Sequence, residues 1–232
     1  MIALIDSDTP IFAAAVSSEN ASESWIATSR LDRTIENIIQ SSGCIDAKLF
    51  VSGKDNFRKT LYSEYKANRT QPTPKWREVC KQHLITKWGA IEAHGCEADD
   101  YCGIHQNSDT IICGIDKDLL QIPGKHFQWE IVRQGVVVRN SQFVEISELD
   151  GYKNFYKQVL TGDTSDNIIG ITGIGPKKAS KLIDNLESEE EMVEVVKSLY
   201  SDSECFNMNC DLLWIMRNLG ETYSLRRELN DY

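Results

Sequence analysis

The stretch "ALIDSDTPIF" (residues 3–12) sets two carboxylates at the end of a short apolar run. Ile2, Ala3, Leu4 and Ile5 read as a buried strand, and Asp6 and Asp8 fall where it stops. Three chemistries fit such a strand end. The pair could be the nucleophile and acid of an aspartate-based phosphatase, Asp6 could be the first ligand of a metal-dependent nuclease, or an Asp could cap the next helix. Each requires different partners further along the chain.

Working outward, strands are expected at 2–5, 47–51 ("AKLFV"), 90–93 and 110–113 ("TIIC"). Helical patterns lie between them at 10–17, 31–40, 74–88 and 98–107, with Leu31, Ile35, Ile38 and Ile39 at helical spacing. This alternation predicts a largely parallel sheet covered on both faces, in which ligands collect at the carboxyl ends of the strands. "FQWEIV" (127–132) and "GVVVR" (135–139) read as a hairpin joined by Arg133–Gln134. From 147 onward the pattern is helical, broken at "GITGIGP" (170–176), and it ends in acidic amphipathic helices.

A chain of 232 residues suits one α/β domain with a small appendage. No apolar run approaches the roughly 20 residues of a membrane span, and Met1 leads straight into the first strand without a signal-peptide pattern. Seven cysteines without a C-x-x-C pair predict reduced, mostly buried thiols in a cytoplasmic protein rather than a zinc site. The net charge of −10 is unevenly spread: residues 54–87 hold nine Lys and Arg against three Asp and Glu. One basic segment therefore sits in an otherwise acidic chain.

Eight carboxylates fall at predicted strand ends or helix starts. Asp6 ends the first strand, and "CEADDY" (96–101) places Glu97, Asp99 and Asp100 at the start of a helix. Asp116 and Asp118 follow the fourth strand in "GIDKDLLQ", and "TGDTSDNI" offers Asp163 and Asp166. A single Asp in such a place more often caps a helix or turn than binds a ligand. Eight that converge would repel one another by several kcal/mol per close pair unless divalent cations neutralised them. Magnesium and manganese want such hard oxygen ligands, and two of them would suit phosphodiester hydrolysis. The phosphatase reading fits less well: "GDTSD" has one residue too few for its late G-D-x-x-x-D motif, and it has no use for "EADD" or the basic segment.

Within that basic segment, "NFRKTLYSEYKANR" (56–69) mixes Arg58, Lys59, Lys66 and Arg69 with Phe57, Tyr62 and Tyr65. Cations of this kind neutralise phosphates, and an aromatic face stacks on an unpaired base. In "GITGIGPKKASKL" (170–182), Gly173 and Gly175 read as a tight turn with Pro176 at the first helical position and Lys177, Lys178 and Lys181 behind it. Amides at such a helix start can hold a phosphate.

Together, "FRKTLYSEYKANR", "EADD", "DKDLLQ" and "LTGDTSDNIIGITGIGPKKA" resemble, in order, motifs of the 5′ nuclease family: the 5′→3′ exonuclease domain of bacterial DNA polymerase I, phage exonucleases and flap endonucleases. The resemblance covers residues 6 to about 182. It implies an α/β fold with a PIN-like, mostly parallel sheet flanked by helices, a short helical arch (about 56–88) and a C-terminal helix-hairpin-helix element (about 163–185). Residues 1–150 would be the catalytic domain and 151–232 a helical subdomain. By the motif match, Asp6, Glu97, Asp99, Asp100 and Asp116 resemble a first metal group, and Asp118, Asp163 and Asp166 a second. The implied cofactors are two divalent cations, Mg2+ or Mn2+, with K+ at the hairpin. Lys66 and Arg69 resemble the residues that steer the scissile phosphate, with Tyr65 as a stacking platform. Arg58, Gly173, Gly175, Lys177 and Lys178 complete the implied DNA surface. The implied activity is a structure-dependent 5′ nuclease acting on DNA with a 5′ end, flap or nick, or on an RNA–DNA hybrid, as a monomer in the cytoplasm and away from membranes. A non-catalytic DNA-binding paralogue and a PIN-type ribonuclease are the alternatives. The family has a further metal-site Asp shortly after the second strand. This chain reads "FVSGKDNFR" there, with Ser52, Gly53 and Lys54, and Asp55 as the candidate replacement.

Overall fold

The structure, a computed structural model, describes residues 1–230. The apolar run after Met1 becomes β1 (Ile2–Asp6), followed by α1 (Asp8–Ser17), α2 (Ser24–Ser42) and β2 (Asp46–Ser52). A short helix α3 (Phe57–Leu61) and α4 (Arg77–Trp88) lead to β3 (Ile91–Ala93), α5 (Ala98–His105) and β4 (Thr110–Cys113). A 3-10 turn at Asp118–Gln121 precedes β5 (Gly124–Gln128), the pair β6 (Ile131–Arg133) and β7 (Val136–Arg139), and β8 (Gln142–Ile146).

The main sheet runs β3-β2-β1-β4-β5-β8. Its first five strands are parallel and β8 pairs antiparallel to β5. The chain steps from β1 outward to β3, then crosses back to lay β4 on the other side of β1. That reversal opens a crevice between the carboxyl ends of β1 and β4. Burial on both faces explains why these strands read as unbroken apolar runs: all four residues of β4 are buried. Ala3, Ile5, Leu49, Val51 and Ile111 pack on one side against Ile11, Leu31, Ile35, Ile38 and Leu84 of α1, α2 and α4. Leu4, Phe50 and Ile112 face the other way onto Ala98 and Cys102 of α5 and onto Leu119, Ile122 and Ile215. Full burial of each such side chain is worth about 1.5–3 kcal/mol.

The remaining elements are α6 (Glu148–Thr161), a two-residue hairpin β9 (Gly162–Asp163) with β10 (Ile168–Ile169), then α7 (Pro176–Ile183), α8 (Glu189–Leu199), α9 (Ser203–Leu213) and α10 (Tyr223–Asn230). They share a separate core around Phe155, Tyr156, Met192, Phe206, Trp214 and Tyr223.

Four expectations change. "FQWEIV" is split, because Phe127 and Gln128 finish β5 in the main sheet and only Ile131 onward pairs with β7. The tight turn is Gln134–Gly135, both with positive φ, the combination that matches strand twist in a two-residue hairpin. The C-terminal helical pattern breaks at Gly162 rather than at 170: its φ is +69, and an added Cβ would lie 2.4 Å from the Ile168 carbonyl oxygen. The segment 56–88 is helical only at its ends. Residues 62–76 form turns and irregular chain, and around 71–74 Pro72 and Pro74 remove backbone donors and bias the residues before them away from helix. All seven cysteines are free thiols, and six are buried.

Candidate carboxylate site at the strand ends

The crevice between β1 and β4 is where the predicted carboxylates gather, and local structure explains how each arrives. Asp6 is the last residue of β1, and its Oδ1 accepts the Asp8 amide at 3.1 Å as the chain turns into α1. Glu97 is the N-cap of α5, whose amide donates to Asp100 Oδ2 at 2.9 Å in a capping box. The loop after β4 brings Asp116 and Asp118, joined by the Asp118 amide to Asp116 Oδ1 at 3.0 Å. Asp163 arrives on β9, where its Oδ1 accepts the Ser165 amide at 2.8 Å and hydroxyl at 2.6 Å.

These acids fall into two electrostatic classes. Glu97, Asp100, Asp163 and Asp166 are compensated by basic side chains. Arg58 makes a bidentate pair with Asp100, Nη1 to Oδ2 at 2.6 Å and Nη2 to Oδ1 at 2.9 Å, and lies 3.7 Å from Glu97. Lys66 donates to Glu97 and stands 3.6 Å from Asp166. Arg69 Nη2 donates to Asp166 Oδ1 at 2.6 Å. Burial alone would raise the Glu97 carboxyl, but Lys66 and Arg58 outweigh it and hold it down at about 2. Burial opposes ionisation of Asp163 too, and bonds from Ser165 and the Lys117 ammonium at 3.1 Å keep it below the usual aspartate range.

Asp6, Asp99 and Asp118 belong to the second class. Burial, then Asp8, Asp116 and Glu97, push the Asp6 carboxyl up to about 8. Asp118 is pushed up to about 6 by burial, then by Asp116 and Asp163, against the pull of Lys117. Asp99 is raised by burial, then by Asp100 and Glu97, despite Arg58. At an effective dielectric of about 20, each pair of like charges a few ångströms apart costs about 3 kcal/mol.

The donor set therefore fits a divalent cation. Every candidate ligand is a hard carboxylate oxygen, and the buried Asp118 Oδ1 is met only by the Lys117 ammonium at 3.3 Å. Among the described residues, no three carboxylate, thiol or imidazole groups close on one point as a finished metal site. Lys66 and Lys117 instead reach into the group, onto Glu97 and onto Asp118 and Asp163.

Three sequence-based assignments need correction. Asp100 is fully buried, with its oxygens taken by Arg58 and by the amides of Glu97 and Met216, so it is a structural anchor rather than a ligand. Arg58 is 2% exposed and also donates to the carbonyls of Leu212 and Trp214, tying α3 to the C-terminal core instead of facing DNA. Tyr65 is 4% exposed, its hydroxyl held between Glu97 Oε2 at 2.6 Å and Asp166 Oδ2 at 3.0 Å, so no ring face is open for a base. Hydrophobicity drew Tyr65 inward, and the buried acids required partners. Lys66 and Arg69 are not on a helix; Lys66 has φ +59, and the 64–69 strand of chain is stitched to 164–167 by the Lys66 amide to the Asp166 carbonyl at 2.9 Å and by Asn68 and Asn167. Gly173, Gly175, Lys177 and Lys178 lie together and exposed at the start of α7, away from these acids in sequence and unconnected to them by hydrogen bonds among the described residues. Asp8 belongs to the acidic group, which the D-x-D spacing at the end of β1 could have signalled. Asp55 is exposed and joins no ion pair among the described residues.

The family model described as "5'-3' exonuclease, N-terminal resolvase-like domain" matches residues 2–148. The chain belongs to the 5′-3′ exonuclease family. Relatives of this exonuclease-family chain include a DNA polymerase I of Caldicellulosiruptor bescii, 35% identical over an alignment of 182 positions that covers 70% of this chain and 21% of that one. A 5′-3′ exonuclease of Bacillus subtilis is 30% identical over an alignment of 159 positions that covers 61% of this chain and 52% of that one. The chain thus spans about a fifth of the length of the polymerases it matches. Its fold is that of the bacteriophage T5 flap endonuclease, solved in a pseudo-enzyme-product complex with DNA and metal ions (TM-score 0.68, 16% identity, 92% of this chain and 88% of that one). The T5 5′-exonuclease with zinc bound gives a TM-score of 0.64 at 17% identity over the same shares. The family match ends at residue 148, before Asp163 and the glycine turn.

Proposed function

We propose that the protein is a structure-dependent 5′ nuclease, a 5′→3′ exonuclease and flap endonuclease, that hydrolyses phosphodiesters with two divalent cations, Mg2+ or Mn2+. The observation that carries this reading is the placement of Asp6 at the end of β1, Asp116 and Asp118 after β4, and Glu97 and Asp99 at the start of α5, at the strand-order reversal of a chain in this family.

Asp6, Glu97, Asp99 and Asp116 would hold one cation, and Asp118, Asp163 and Asp166 the other. Bound there, the ions would activate water and stabilise the leaving oxygen. The chain's own side chains bring the strand to that place. Arg69, more than half exposed, and Lys66 present cationic groups at the rim. A backbone phosphate would draw them from Asp166 and Glu97, so that substrate binding also frees carboxylate oxygens. The partly buried crevice limits bulk water around the reacting phosphate. Residues 1–150 serve as the catalytic domain. In the helical subdomain, 151–232, the Gly173–Gly175 turn, with Gly173 at φ +78 and Gly175 capping α7, would bring backbone amides and Lys177 and Lys178 to duplex phosphates, with K+ as a further ligand.

The test is a panel of end-labelled substrates (5′-flap DNA, nicked duplex, RNA–DNA hybrid and single-stranded RNA), each with Mg2+ and with EDTA. Mg2+-dependent cleavage at or near the 5′ junction of the DNA substrates is expected. Cleavage of single-stranded RNA alone would make it a ribonuclease, and binding of flap DNA without cleavage would make it a non-catalytic paralogue.

A further inference from the structure

We infer that Asp8 is a functional acid of the cation site, supplying from the start of α1 the carboxylate that the chain at the end of β2 cannot. The inference rests on the nuclease reading above and assigns a residue to that site.

The end of β2 borders the crevice, since β2 pairs with β1 in register from Ile2 and Asp46 to Asp6 and Phe50. Three observations exclude an acid from the β2 side. Ser52 spends its hydroxyl oxygen on the Ala98 amide at 3.0 Å, and its carbonyl on Lys81 Nζ at 2.7 Å. Position 53 admits no side chain, because a Cβ there would lie 2.3 Å from the Ala93 carbonyl oxygen. Asp55 is exposed two residues further on.

Asp8 fills that place from the neighbouring strand. Ser7 is the N-cap of α1 and its amide donates to the Phe50 carbonyl at 2.9 Å, which pins the first turn of the helix against β2. Asp8 is the first residue of that turn, and its Oδ1 accepts the Ser52 amide at 3.2 Å, across 44 positions of sequence. Its own amide meets Asp6 Oδ1 at 3.1 Å. One oxygen of Asp8 is thereby fixed to β2 while the other accepts no hydrogen bond among the described residues, and the side chain is only half-buried. Ser52 is the common node: it orients Asp8, it caps the helix that carries Glu97 and Asp99, and Lys81 holds it. A carboxylate anchored by one oxygen beside Asp6, with the second oxygen free, is a ligand or an outer-sphere acceptor for a hydrated cation.

Mn2+ binding to the full chain without DNA, followed by calorimetry or by the EPR signal of free Mn2+, tests this. Asparagine at position 8 keeps an oxygen for the Ser52 amide and removes only the charge. Asp8→Asn is therefore expected to weaken Mn2+ binding by about tenfold or more, with an unfolding temperature in EDTA at or above that of wild type and unchanged binding in Asp55→Asn. A purely structural Asp8 would give the opposite pattern, with Asp8→Asn like wild type and only Asp8→Ala losing stability, and the inference would fall. Loss of binding in Asp55→Asn instead of Asp8→Asn would also overturn it. Asp6→Asn separates the two levels: if it loses Mn2+ while Asp8→Asn does not, the nuclease reading stands and the Asp8 assignment fails. If the wild-type protein takes up no Mn2+, both fail.

Discussion

Two sets of acids lie side by side around the end of β1, and they have opposite fates. On the side of residues 58–69, Glu97, Asp100 and Asp166 are each met by a guanidinium or ammonium group. On the side of the strand ends, Asp6 faces Asp8, Asp116 and Glu97, Asp99 faces Asp100 and Glu97, and Asp118 faces Asp116 and Asp163 with only Lys117 against them. The first set builds the protein, tying α3 and the 64–69 turn to α5, to the 164–167 loop and to the C-terminal core. The second set crowds like charges together, a cost relieved by taking up a proton or a bound cation. A motif such as "EADD" therefore mixes roles: Asp100 is an anchor, while Asp99, its chain neighbour, belongs to the uncompensated group.

The contrast breaks most visibly if Arg58 is removed. Arg58→Ala leaves the Asp100 charge buried and unpaired, and should destabilise the fold by about 3–5 kcal/mol in denaturant titration. Restoring neutrality with Arg58→Met and Asp100→Leu together should recover much of it. By contrast, Asp118→Ala removes a buried acid that Asp116 and Asp163 oppose and Lys117 offsets only in part. It should leave stability near wild type or above it while lowering Mg2+-dependent flap cleavage by more than about a hundredfold, with binding to flap DNA retained in a gel-shift assay.

The two sets also differ in their response to pH. An acid whose carboxyl is raised in the folded state holds an extra proton there, so stability falls as pH rises between the unfolded and folded values. For Asp6 that window runs from 3.8 to about 8, with Asp118 acting in the same sense up to about 6. Glu97, held at about 2, acts oppositely, and its contribution is complete above its ordinary value of 4.5. Thermal unfolding in EDTA should therefore show stability declining from pH 5 to pH 8, Asp6→Asn should flatten the decline, and Mg2+ should reverse it.

Smaller effects belong to compensated pairs nearer solvent. Asp32 accepts from Trp88 Nε1 at 2.7 Å, Lys87 at 2.8 Å and His83 at 2.8 Å. Burial would raise its carboxyl, but these bonds hold it below the usual range, so its stabilisation is present above the ordinary aspartate value and is lost as pH falls beneath it. Asp32→Ala should cost about 1 kcal/mol at neutral pH. Arg69→Ala should cost less than about 1 kcal/mol, because the Arg69 side chain is more than half exposed to solvent. Its effect should appear in the KM for flap DNA.

By itself the sequence determined the layered α/β class and which acids come out at the carboxyl ends of the strands. Strands buried on both faces must be written as apolar runs, and acids placed just after such runs must come out at one edge of the sheet. "TIIC" and "ALID" could be read for this reason, and so could Asp6, Asp116 and Asp118 behind them. Which acids are neutralised was decided only by tertiary structure, because the partner of Asp100 lies 42 positions away at Arg58 and the partner of Asp8 lies 44 away at Ser52. Whether a basic residue meets nucleic acid or an internal carboxylate depends on what packs against it, and a string of residue types carries no distance between remote side chains.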